Sequence, residues 1–392
     1  MNRPLLNRGL ASLGTTIFAE MSELAVATSS VNLGQGFPDT DGPAEIAQAA
    51  ADAIMAGHGN QYPPGAGIPQ LRAAIADHQR RFYGLDVDPG SEVLVTAGAT
   101  EAIAAALLAL VEPGDEVIAF EPYYDSYAAC IAMAGGVRVP VTLLAPDFRP
   151  DLDALRAAIT DRTRLILLNS PHNPTGSVFT RAELAAIAEL ACSHDLLVIS
   201  DEVYEHMVFS GEHVPVCTLP GMAQRTATIS SAAKTFSFTG WKIGWVTGTP
   251  QLVAAVRTVK QFLTFVNGGP FQYAIAQALA LPEEYYSAIA ADLMVKRDLM
   301  CDGLASAGFE VYRPDGTYFI TTDIRPFGDG GPQVSGLEFC RTLPKVAGVV
   351  AIPMQVFYDH PEAGQFQVRF AFCKRKEVLN EAIARLSVLQ AG

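Results

Sequence analysis

At 392 residues the chain is long enough for two domains, or for one large domain with a smaller companion, and for a core that needs no cross-links. Its 49% hydrophobic and 17% charged residues exclude a disordered chain, and a net charge of -14 excludes a nucleic-acid partner held through phosphates, which needs a basic face. Six scattered cysteines without a CxxC pair read as thiols of a reducing compartment, and seven histidines without ligand spacing predict no metal.

From the amino terminus, residues 1 to 35 read as an arm with a short helix, Phe18, Met21 and Leu24 lying at helical spacing. Met1 to Thr16 lacks the apolar run of a signal peptide. The longest apolar run, Ala102 to Val111, is well short of the roughly 20 residues that span a bilayer. A cytoplasmic protein with no membrane partner is the expectation. Val31 to Asp39 reads as a loop in which Gly36 either lets backbone approach a ligand or makes an ordinary turn. Asn60 to Gly67 is a proline-stiffened loop with an exposed-type Tyr62.

A helix is predicted from about Ile68 to Tyr83, and a buried strand over Glu92 to Thr96. That strand runs into Gly98, Ala99 and Thr100 at the start of an apolar helix. Such a turn offers free amides to a phosphate, although small residues also serve packing alone. Strands follow over Glu116 to Glu121, Val137 to Leu144, Thr163 to Asn169 and Leu196 to Ser200, with a helix from Arg181 to His194 before the last. Thr226 to Ile229 and Ile243 to Val246 are two more. Near-continuous apolar strands with helical crossovers mean a mainly parallel sheet covered on both faces, with ligands at the strands' carboxyl ends.

Between the last two strands lies Ser230 to Lys242, SSAAKTFSFTGWK. Most lysines are solvated, but Lys234 sits among small and apolar residues. Burial there leaves a neutral amine able to attack a carbonyl, a Schiff-base candidate. Ser230, Ser231 and Lys242 can hold a phosphate beside it. Asp201, ending its strand, reads by itself as a helix cap, and Tyr124 as core.

A long helix from Glu283 to Ala307 then leads into shorter, hairpin-like strands: Phe309 to Tyr312, Tyr318 to Asp323, Val349 to Ile352 and Gln367 to Phe372, with helices from Leu337 to Val346 and at the end of the chain. Arg325 to Pro332 is predicted as a surface loop. The expected division is 45–285 for a large domain, with 1–44 and 286–392 forming the arm and a small α+β domain.

GQGFPD at 34–39, QYPPGAG at 61–67, GATE at 98–101, PHNPTG at 171–176, SDEVYE at 200–205, the lysine segment, GTYF at 316–319 and VRFAFCK at 368–374 occur in that order. Together they make the chain resemble the fold-type I, pyridoxal-phosphate-dependent aminotransferases of class I/II. The resemblance implies an α/β fold: a large domain with a mainly parallel seven-stranded sheet between helices, aspartate aminotransferase-like, plus a smaller α+β domain. It also implies pyridoxal 5'-phosphate bound covalently to Lys234, Asp201 against the ring nitrogen, and Asn173 and Tyr204 on the ring oxygen. Tyr124 would stack on the ring, while Gly98, Ala99, Thr100, Ser231 and Lys242 would hold the phosphate. Arg369 would fork the substrate carboxylate with Gly36 and Asn173 beside it, Phe18 and Tyr318 would line the side-chain pocket, and His172 would be a positioned neighbour. Tyr62 would reach the neighbouring subunit, so an obligate homodimer is implied.

The implied activity is ping-pong transfer of an amino group from an amino acid to the 2-oxo acid 2-oxoglutarate. Within the group, FAEMSELA, EPYYDSY and the carboxyl-terminal segment resemble N-succinyldiaminopimelate aminotransferases of lysine synthesis most. Kynurenine and methionine aminotransferases come next, with cysteine-conjugate β-lyase chemistry as a further option. A non-catalytic effector-sensing domain is the alternative of another class, and it would need a DNA-binding module that the first 35 residues are too few to supply.

Overall fold

The computed structural model describes Leu10, residues 16–328 and residues 334–390. In chain order its elements are α1 (Ile17–Thr28), β1 (Val31–Asn32), α2 (Ala44–Met55), α3 (Pro69–Tyr83), β2 (Val93–Thr96), α4 (Gly98–Leu110), β3 (Glu116–Glu121), α5 (Ser126–Ala134), β4 (Val137–Thr142), α6 (Leu152–Ala158), β5 (Thr163–Asn169), α7 (Arg181–Ser193) and β6 (Leu197–Asp201). There follow β7 (Thr226–Ser231), α8 (Ala232–Thr235), β8 (Gly244–Thr247), α9 (Pro250–Lys260), α10 (Gly269–Leu279), α11 (Glu283–Ser306), β9 (Glu310–Tyr312), β10 (Phe319–Asp323), α12 (Gly336–Val346), β11 (Val349–Val350), β12 (Ile352–Pro353), β13 (Gln367–Ala371) and α13 (Lys376–Leu386).

The central sheet has seven strands in the order β2-β8-β7-β6-β5-β3-β4. Strands β3 to β7 run parallel, and β8 runs antiparallel to both β7 and β2. One face packs on residues of α4, α5 and α9, the other on α7 beneath β3, β5 and β6 and on α2, α3 and α10 beneath β2 and β8, which explains why β2, β3 and β6 carry apolar residues on both faces. Helix α7 starts where its sequence says it should: Thr180 caps the amide of Glu183, and Glu183 reaches back to Thr180.

A four-stranded antiparallel sheet, β12-β13-β10-β9, forms the second layer. Its core continues into α1, α11, α12 and α13. The strand expected over Val349 to Ile352 is two strands in two sheets. Val349 and Val350 pair in parallel with Val31 and Asn32, and Ile352 and Pro353 pair with β13. The loop expected from Val31 therefore begins as a strand, because its partner arrives from 318 residues away and no local pattern announces it. The expected boundary at residues 285/286 falls in the first turn of α11, and the predicted loop over Arg325 to Pro332 lies partly outside the described residues. Among the described residues no helix is long and apolar enough to cross a membrane.

Candidate active site

The antiparallel placement of β8 brings the lysine segment to the ligand-binding edge. Residues that follow a parallel strand, or precede an antiparallel one, come to the same edge of the sheet. Ser231 ends β7 opposite Gly244, and Thr96 ends β2 opposite the same Gly244. Lys242, just before β8, thus meets Gly98 and Ala99, just after β2. A Cβ on Gly244 would stand 2.5 Å from the Gly98 carbonyl carbon and 2.8 Å from the Ala99 nitrogen, so only glycine admits the turn. Gly98 itself has φ +77°, and a Cβ there would lie 3.2 Å from Lys242 Nζ. Lys242 holds φ +55°, a conformation that costs a non-glycine residue about 1–3 kcal/mol and folds its side chain back over the start of α4.

The resulting cavity of about 360 Å³ is lined by Phe18, Gly36, Gly98, Ala99, Thr100, Tyr124, Asn173, Asp201, Tyr204, Ser231, Lys234, Lys242 and Arg369 from the expected set. Tyr318 stands behind it, its hydroxyl donating to the Gly36 carbonyl at 2.7 Å. Tyr62 does not reach it. It is 80% exposed, with its ring edge-on to Phe265. Gln35, Tyr127, Asn169 and Phe319 also line the cavity, and sequence reasoning missed all four. Asn169 had a legible signal, since it ends a predicted strand. Its Nδ2 donates to the Asp201 carbonyl at 2.8 Å and its Oδ1 accepts from the Asn173 amide at 2.7 Å, tying two expected ring contacts together.

Burial dominates the electrostatics. It lowers the Lys234 pKa to about 8, so roughly a tenth of the amine is unprotonated and nucleophilic at neutral pH, far more than for a solvated lysine. The amine lies 5.6 Å from the Tyr204 ring centroid and 5.7 Å from that of Tyr318. Burial raises the Asp201 pKa to about 6, against hydrogen bonds from Tyr127 and the Val203 amide that favour the carboxylate. Burial also raises the Tyr204 phenol, which keeps its proton. His172 is buried, its Nδ1 2.8 Å from Thr175 Oγ1, and burial depresses its pKa to about 3, leaving a neutral spacer beside Asn173.

Arg369 is 1% exposed in the middle of β13. Its Nη1 donates to Asn173 Oδ1 and its Nη2 to the Gly34 carbonyl, each at 3.0 Å, while Nε is buried without a protein partner. The guanidinium carbon sits 4.1 Å from the Phe319 ring centroid, 5.2 Å from Phe357 and 5.3 Å from Phe18. A desolvated cation preset by two acceptors and walled by rings suits a planar carboxylate. Gly36 belongs to the same wall: a Cβ there would stand 2.6 Å from Phe319.

A second polar cluster, unannounced by any spacing, lies on the other face of β7. His78, Glu205 and His206 offer metal-capable atoms within 4.8 Å of one another. Those atoms are already spent. The two Nε2 atoms bond each other at 2.7 Å, and Glu205 accepts from Tyr83 and Ser230, each at 2.5 Å.

The donor set of the cavity fits pyridoxal 5'-phosphate. Helix-start amides, Lys242 and Ser231 surround a place for a dianion, an amine of lowered pKa stands beside it, and a buried carboxylate lies opposite. Comparison with known proteins agrees. The family model "Aminotransferase class I and II" matches residues 28–386. A probable N-succinyldiaminopimelate aminotransferase of Mycobacterium tuberculosis is 54% identical over 97% of each chain, and the methionine aminotransferase of Escherichia coli 41% identical over 99% of this chain and 100% of that one. The solved N-succinyldiaminopimelate aminotransferase from Mycobacterium tuberculosis superposes with a TM-score of 0.94 over 98% of this chain and all of that one. The chain belongs to the class I and II aminotransferases, pyridoxal-phosphate-dependent transaminases acting on amino and 2-oxo acids.

Proposed function

We propose that this transaminase moves the amino group of N-succinyl-LL-diaminopimelate to 2-oxoglutarate, in lysine synthesis. The observation that carries the reaction is one cavity holding a Lys234 amine of lowered pKa, the Asp201 carboxylate and the Arg369 fork. The donor rests on 54% identity along nearly the whole chain.

The cofactor, when bound, supplies the electron sink that stabilises a negative charge at the substrate Cα. Every other part falls to the chain's own groups. Lys234 would hold the cofactor covalently. Its Nζ, when free, would carry the proton off the substrate Cα as general base. Asp201 would keep the ring nitrogen protonated, and Asn173 and Tyr204 would donate to the ring oxygen. Tyr124 would cover the ring face, while Gly98, Ala99, Thr100, Ser231 and Lys242 would grip the phosphate. Arg369 orients the substrate by its α-carboxylate, with Gly36 and Asn173 alongside, and Phe18 and Tyr318 close the side-chain pocket. The large unit, residues 45–285, and the small one, residues 1–44 with 286–392, both contribute residues to the site in the same scheme. Tyr62 completes the phosphate site of a second copy, so the working form is a homodimer. Its exposure beside Phe265, itself about half exposed, supports this. Six free thiols support a cytoplasmic location.

A second reading, a methionine, kynurenine or other aromatic donor, with β-lysis of cysteine conjugates as a side reaction, is favoured by the three rings around Arg369. A donor screen with 2-oxoglutarate decides between them. Glutamate should form fastest from N-succinyl-LL-diaminopimelate. Faster turnover of methionine or kynurenine would reverse the order, and pyruvate released from a cysteine conjugate without any oxo-acid acceptor would establish the lyase reaction.

A further inference from the structure

Asp201 is faced by Tyr127 from α5, by Lys234 beyond the end of β7, by Tyr124 and Tyr204, and by its neighbour Glu202. Of these, only Tyr127 donates a short side-chain bond to it, from its hydroxyl to Asp201 Oδ2 at 2.5 Å. The other oxygen, Oδ1, has a long contact with the Val203 amide at 3.4 Å. Tyr127 cannot swing away. It is 2% exposed, its amide bonds the Tyr124 carbonyl, and its ring stands edge-on to Tyr124 and stacked on Tyr123. Burial raises its phenol well above the ordinary range, so it remains a donor.

We propose that Tyr127 is the positioning residue for Asp201: it ties down Oδ2, turns Oδ1 toward the cofactor ring nitrogen, and keeps the carboxylate less basic than that nitrogen. This rests on the proposed role of Asp201. The physical consequence is a division of labour within one carboxylate. One oxygen is anchored by a fixed phenol, and the other is left to share the ring proton. Without the phenol, the carboxylate becomes the stronger base and draws that proton off the ring, which weakens the electron sink. The residue lies in the EPYYDSY run, where Tyr124 alone stood out from sequence.

The experiment uses holoenzyme loaded with pyridoxal phosphate carrying 15N in the ring, and reads the ring-nitrogen chemical shift together with kcat and KM. Tyr127→Phe should move the signal toward neutral pyridine and lower kcat about tenfold with KM little changed, the loss of one bond to a charged group. Site-specific 3-fluorotyrosine at 127, a stronger donor of nearly the same size, should move the signal the opposite way and supplies the answer if the phenylalanine protein does not fold. Asp201→Ala tests the underlying assignment. A signal that moves in Asp201→Ala but stays put in both Tyr127 proteins overturns the role of Tyr127 and leaves that of Asp201 standing. A signal unmoved by Asp201→Ala removes both.

Discussion

Two buried polar clusters share strand β7 and the turn after β6, one on each side, and they differ in what their polar atoms have left to do. Ser231 and Tyr204 face the cavity of Lys234, whereas Ser230 and Glu205, their immediate neighbours in sequence, face His78, His206 and Tyr83. Successive residues of a strand point to opposite faces, so a one-residue step separates the two environments. On the His78 side the two Nε2 atoms, Glu205, Tyr83 and Ser230 are paired with one another, and His78 Nδ1 is buried without a partner. On the Lys234 side an amine, a helix start and a guanidinium Nε keep capacity for a ligand. Burial of ionisable groups is common to both. Unspent bonding capacity directed into a cavity belongs to one.

The contrast breaks most sharply at Lys234. Lys234→Ala should lower transamination at least about a thousandfold, the scale of a lost acid and base. The same protein should take up no cofactor mass after borohydride reduction, as intact-mass spectrometry will read, and wild-type turnover in it would end the assignment. Arg369→Lys comes next. It keeps the charge and loses the fork, and should reduce kcat/KM by about 2 kcal/mol, roughly thirtyfold, while the visible spectrum of the loaded enzyme is unchanged.

A smaller effect follows from the amine's acidity. Burial places the Lys234 pKa near 8, so the unprotonated fraction grows as pH rises through that value. Cofactor uptake by the apoprotein, timed by absorbance, should accelerate from about pH 6.5 and level off about one unit above that pKa, near pH 9. A flat profile would mean that the amine is already neutral across the range.

The opposite cluster should be silent in catalysis. His206→Phe is expected to leave kcat within about twofold of the parent and to register only in acid stability. Burial depresses the His206 pKa from 6.5 to about 3, so between those values the unfolded chain binds a proton that the folded chain does not, and stability falls as pH falls. The variant should lose about one proton from that slope in denaturant titrations between pH 3 and 6.5. A large loss of kcat instead would join the two clusters functionally.

Much of this was legible before any fold was known. Strand β3, from Glu116 to Glu121, and strand β5, from Thr163 to Asn169, follow from runs of apolar residues, and the capping box at Thr180 and Glu183 marks a helix start by local chemistry alone. The short strand at Val31 was not legible, because its pairing with Val349 is a bargain between distant segments. Nor was Tyr127. Nothing in its neighbours distinguishes a phenol that reaches Asp201, 74 residues on, from one that merely packs.

Residue types and their order along the chain determined the chemistry available here: a lysine among small residues, a carboxylate ending an apolar strand, an arginine in a strand of the second sheet. Local physics suffices for that, since periodicity, capping and turn preferences act over a few residues. Which of these groups share a cavity, and which neighbouring group turns its back on it, was decided by strand direction, register and the close approach that Gly98, Gly244 and Gly36 permit. Those depend on contacts between segments far apart in the chain, and only the folded molecule contains them.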